Sequence, residues 1–118
     1  MRYIYSLRID TDFIHREKIN KILNKSCNYF SVGWGLEVVE DEEDEEYFDF
    51  INYFLDLLEG QYSKLEEIGV LKKNITFWMI YEYNQQCNME FLPCDLKRLG
   101  KNGINLHISC KESDYSGL

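Results

Sequence analysis

Apolar and polar residues alternate from the start of the chain. Tyr3, Tyr5, Leu7 and Ile9 fall on one side of residues 2–9, with Arg2, Ile4, Ser6 and Arg8 on the other. Period two predicts a strand with a dry face and a wet face, and Tyr and Ile suit the pleated surface. Asp10-Thr11-Asp12 then offers N-cap side chains, and Ile19, Ile22 and Leu23 recur at helical spacing up to Asn24. Alternation returns over 29–39, where Phe30, Val32, Trp34, Leu36 and Val38 oppose Ser31, Gly33, Gly35 and Glu37, predicting a second strand. From Tyr47 to Glu59 only Asp49, Asn52, Asp56 and Glu59 break an apolar helix, leaving a single narrow polar stripe, with Gly60 at the position after the helix. A short helix follows, with Ser63 as cap, Glu66 completing a capping box, Leu65 and Ile68 inward, and Gly69 at its end.

Residues 75–83 are apolar on both faces, as in a central strand. Asn84-Gln85-Gln86 reads as a turn into a short strand, Cys87 to Phe91. Pro93 fits the first position of a helix whose Leu96 and Leu99 face the core, closed by Gly100 or Gly103. In the last strand Ile104, Leu106, Ile108 and Cys110 oppose Asn105, His107, Ser109 and Lys111. The order β-α-β-α-α-β-β-α-β predicts one α+β domain over residues 1–118. The expected architecture is a two-layer sandwich whose largely antiparallel sheet is covered by helices on one face, in a ferredoxin-like layout.

A chain of 118 residues with 45% hydrophobic and 15% aromatic residues has the material for one core. No apolar run approaches the ~20 residues that span a bilayer, and no leader pattern opens the chain, so a cytoplasmic protein is expected. The net charge of −8 is unevenly spread: residues 1–36 sum to +3, 37–67 to −12 and 68–118 to +1. Seven consecutive acids, Glu40, Asp41, Glu42, Glu43, Asp44, Glu45 and Glu46, carry most of it, and Asp49 follows closely. General binding to nucleic acid or anionic membrane is disfavoured, because phosphate surfaces demand a basic footprint.

Candidate chemistry is sparse. Cys27, Cys87, Cys94 and Cys110 contain no closely spaced pair, so buried, reduced thiols are expected, with no metal and no cofactor. Gly33-Trp34-Gly35 is too short for a dinucleotide fingerprint. His107 and Ser109 project to one side of the last strand, but no glycine-rich elbow flanks the serine. A hydrolase built on them is the weakest reading. Adjacent acids repel one another and stay solvated, so the run is poor material for a catalytic pair and lacks the spaced ligands of a calcium loop. What it does supply is a local negative field that steers a basic partner. Glu40 to Glu46 and Asp49 are therefore the candidate partner-binding residues. As a plain solvated linker, the run would only keep the following apolar helix soluble.

Ile75-Thr76-Phe77-Trp78, Tyr81-Glu82-Tyr83, Gln86-Cys87-Asn88-Met89-Glu90-Phe91, the helix with Leu96 and Leu99, and Leu106-His107-Ile108-Ser109-Cys110 form a further pattern. It resembles the bacterial family called domain of unknown function 4279 over roughly residues 54–112. The motif residues are core positions, so no catalytic residue carries over. The resemblance implies a small bacterial binding protein, similar to immunity proteins encoded beside polymorphic or contact-dependent growth-inhibition toxins. The partner so implied is a cognate toxin domain, often a basic nuclease. A self-associating structural or regulatory domain, forming a homodimer through its wet sheet face or an edge strand, is the alternative expectation.

Overall fold

Four strands form among the described residues of the computed structural model, which are 2–41, 48–83 and 89–112. They are β1 (Arg2–Ile9), β2 (Trp34–Asp41), β3 (Ile75–Tyr83) and β4 (Asn105–Glu112), in the sheet order β2-β1-β3-β4. Helix α1 (Arg16–Leu23) joins β1 to β2, α2 (Phe50–Leu58) and α3 (Tyr62–Glu67) lead towards β3, and α4 (Pro93–Asn102) joins β3 to β4. The β1–β2 and β1–β3 pairs are antiparallel and β3–β4 is parallel. The sheet is thus mixed, and the architecture is the expected two-layer α+β sandwich.

The ferredoxin-like expectation fails on connectivity. In that layout a strand from elsewhere separates the two strands that each helix joins. Here β1 and β2 are neighbours, and β3 and β4 are neighbours. The second pair runs parallel because α4 carries the chain back to the start of the sheet.

Register aligns the apolar face. Leu7 lies between Leu36 and Phe77, Ile9 between Trp34 and Ile75, and Tyr5 between Val38 and Met79. Ile19 and Leu23 of α1, Phe50, Ile51, Phe54, Leu55 and Leu58 of α2, Leu65 of α3 and Leu99 of α4 join the same buried cluster. All four helices therefore cover one face, and α2, apolar around most of its circumference, lies deepest in that layer. Phe54 meets Phe50 and Phe77 edge-on, at centroid separations of 6.4 and 5.3 Å. Trp34, fully buried, donates from Nε1 to Asn20 Oδ1 at 2.8 Å, fastening β2 to α1.

Several local expectations are corrected. The second strand begins at Trp34, five residues later than the alternation from Tyr29 predicts. The amides of Asn28 and Tyr29 both donate to the Gly35 carbonyl, which folds the preceding segment back and leaves Phe30 exposed. Asp12 accepts from the Ile14 amide, capping a 3-10 turn at Phe13–His15 ahead of α1. Ser63 does not cap α3: the helix has already started at Tyr62, and Gln61 stands at the cap without a side-chain bond. Of the expected strand 87–91, Cys87 and Asn88 lie outside the described residues, and residues 89–91 form no strand, with Met89 and Phe91 packed on the core. Leu96 is exposed, because α4 turns Leu99 inward and meets α2 through its polar side. Cys94 and Cys110 are exposed and Cys27 is half-buried, so burial of the thiols is not what the fold gives; Cys87 lies outside the described residues. Edge strand β4 leaves Ile108 and Cys110 accessible.

The polar stripe of α2 has a partner. Arg98 of α4 reaches Asp56 at 2.7 Å, Glu59 at 2.6 Å and Asn52 Oδ1 at 2.7 Å, while Asn52 Nδ2 bonds Asp49 and Asp95. The Asp56 hydrogen bond, then Glu59, holds the Arg98 pKa above the ordinary guanidinium value against partial desolvation. Beside this network the Tyr62 hydroxyl donates to Asn102 Oδ1 at 2.6 Å. Burial, followed by the charge of Glu59 and offset by Arg98, pushes the Tyr62 pKa up to about 12. A raised phenol pKa means the unfolded chain loses this proton first, near pH 10. The corresponding stability is complete below pH 10 and lost as pH rises towards 12. Thermal melts across that window should show a steeper decline for the native chain than for Tyr62→Phe; parallel declines would contradict the assignment.

Candidate functional site

The candidate partner-binding residues fall into three structural groups. Glu40 and Asp41 are the last two residues of β2, which is an edge strand, and Asp41 stands opposite Arg2 in the ladder. Glu40 is half-buried and its carboxylate accepts from the Tyr5 hydroxyl at 3.3 Å. Glu42, Glu43, Asp44, Glu45 and Glu46 lie outside the described residues. Asp49 serves the fold, since its carboxylate caps α2 by accepting from the Asn52 backbone amide at 3.3 Å and from Asn52 Nδ2 at 2.7 Å. The described residues on either side of 42–47 thus belong to a β-ladder and to a helix cap.

The outer edge of β2 is protected over part of its length. The Asn28 side chain both donates to the Glu37 carbonyl at 3.0 Å and accepts from the Glu37 amide at 2.7 Å, in the manner of a neighbouring strand. Tyr29 bridges Gly35 next to it. Since outward-facing backbone groups recur every second residue, the following ones belong to Val39 and Asp41, where the acidic run begins. Val39 is half exposed.

On the face of the sheet away from the helices, four side chains form a stack that sequence reading did not foresee. The Arg8 guanidinium lies over the Tyr29 ring at 4.7 Å and over the Trp78 ring at 4.5 Å. Trp78 stacks in turn on His107 at 3.7 Å. Gly35 makes room for Tyr29, since a Cβ there would come within 2.9 Å of the tyrosine ring. Arg8 is further held by Ser6 Oγ at 3.2 Å and by the Glu37 carboxylate at 3.6 Å. His107 therefore serves as the end of a cation–aromatic ladder. One signal in the sequence points this way: Trp78 occupies the wet-face phase of β3, in register with Ser6 and His107.

Among the described residues no group of three or more His, Cys, Asp or Glu is placed to hold a metal ion, and no helix is long and apolar enough to cross a membrane. Comparison with family models, with curated proteins and with solved structures found no match.

Proposed function

We propose that this chain is a cytoplasmic immunity protein, which binds a cognate basic toxin domain and covers its active site or substrate groove without catalysis of its own. The observation that carries the reading is the concentration of acidic charge in residues 40–46. Seven consecutive acids stand in sequence between the end of an edge strand and a capped helix start, so seven of the eight net negative charges are concentrated in one short stretch of the chain. Clustered charge of this kind produces potentials of several kT, raises encounter rates with a cationic surface and resembles the charge of a nucleic-acid backbone. The family resemblance, drawn from different residues, leads to the same class of function.

Co-expression supplies the test. The partner is sought in the product of the adjacent upstream gene, whose C-terminal domain is expressed with and without this chain. Restored growth together with co-purification of the two proteins is the expected result. Undiminished toxicity with no complex would refute the assignment.

A further inference from the structure

At the opposite end of β2 from the acids, about 23 Å away at 3.3 Å per residue, a cleft of about 720 Å³ opens on the uncovered sheet face. Its volume is that of a small-molecule site. Arg8 and Trp78 line it from the sheet, Phe13 and Arg16 from around the start of α1, and Phe30 and Ser31 from the loop before β2. The walls are held in place by close backbone contact, for a Cβ on Gly33 would lie 2.0 Å from the Thr11 carbonyl oxygen. Its charged lining residues are two arginines, Arg8 and Arg16, and two aspartates, Asp10 and Asp12.

Two guanidinium groups line this cleft, each with a donor nitrogen left over among the described residues. Arg16 donates from Nε to the Gly33 carbonyl at 2.7 Å and from Nη2 to the carbonyls of Phe30 and Val32 at 3.0 and 2.9 Å. Carbonyls satisfy N–H groups but bring no charge, and no carboxylate pairs with Arg16 among the described residues. Arg8 has only Glu37 among them, at 3.6 Å. Nη1 of each arginine makes no hydrogen bond among the described residues. Asp10 and Asp12 also line the cleft, both exposed, and one Asp12 carboxylate oxygen is occupied by the Ile14 amide.

We propose that the cleft binds a small aromatic carboxylate, its charged group on the guanidinium fork of Arg8 and its ring among Phe13, Phe30 and Trp78. A planar monoanion matches a guanidinium edge. The two rim aspartates balance the two arginines, so the directed bonds of that edge, and not net charge, carry the recognition. None of the acidic residues 40–46 lines this site, so its test does not depend on the toxin.

Binding is followed by Trp fluorescence, since Trp78 lines the cleft and Trp34 is fully buried. The probes are 3-phenylpropionate, its neutral amide, phenyl phosphate and N-acetylglycylphenylalanine with a free carboxylate. A saturable change with 3-phenylpropionate is expected, at least about tenfold weaker for the amide and for Arg8→Gln. Ser31→Glu, on an exposed rim position that leaves the core intact, should weaken it similarly. Tighter binding of the peptide acid than of the free acid would identify a protein C-terminus as the natural source of the same chemistry. Equal binding of the amide, preference for phenyl phosphate, or no saturation by about 10 mM probe would each overturn the proposal.

Discussion

Phe77→Ala should destabilise the protein by about 3–5 kcal/mol and lower its melting temperature by about 10–20 °C. Phe77 is fully buried on inner strand β3, between Leu7 and Leu106 in the sheet, and its ring meets Phe54 of α2. Truncation there leaves a cavity at the contact between the two layers. Neither a β-ladder nor the helix above it can collapse to fill that space without moving the rest of the core. Leu96→Ala is the contrasting variant, because Leu96 is exposed on α4 and should cost no more than about 1 kcal/mol. Denaturant unfolding of both variants measures the difference. Comparable losses would mean that α4 is rotated from the orientation described.

Replacing Glu42, Glu43, Asp44, Glu45 and Glu46 by their amides should slow association with the basic partner by about 10- to 1,000-fold at low ionic strength. It should also flatten the dependence of that rate on salt. Glu40 and Asp49 are kept in this variant because their carboxylates serve the fold, through the Tyr5 hydrogen bond and the α2 cap, and Asp41 is kept as the last residue of β2. Melting temperature should therefore change little or rise slightly as mutual repulsion is relieved. Asp49→Ala gives the converse pattern, a stability loss of about 0.5–2 kcal/mol from an uncapped helix and a nearly unchanged association rate. Stopped-flow mixing at several salt concentrations separates the two effects.

Much of the fold was legible because local pattern and burial agree. In β1 and β3 the period-two residues are those that the register places in the core, and Pro93 and Gly103 bound α4 as their backbone preferences dictate. Misreadings arose where distant contacts decide local structure. Phe30 and Val32 continue the alternation of β2, yet Gly33 packs on Thr11 and Tyr29 seats itself over Gly35, which turns that stretch into a loop. Ser63 and Glu66 have capping-box spacing, but α3 starts at Tyr62, whose hydroxyl is anchored by α4. The parallel β3–β4 pair could not be inferred from two strands that look alike in either direction.

The candidate site was legible only as charge. Seven adjacent acids announce themselves, whereas the cap role of Asp49 depends on where α2 begins. The ladder of Tyr29, Arg8, Trp78 and His107 draws on four separate chain segments brought together by sheet register. The cleft beside it combines residues from before α1, from the loop before β2 and from the start of β3. No periodicity within one segment encodes such a meeting.

Calorimetric titration of the whole chain into the cationic toxin domain, repeated across a series of salt concentrations, tests the central claim most directly. A stoichiometric complex whose affinity falls steeply with salt, and falls less steeply once the five central acids are amides, is the result expected. Absence of a complex, or an affinity indifferent both to salt and to those five substitutions, would contradict the account.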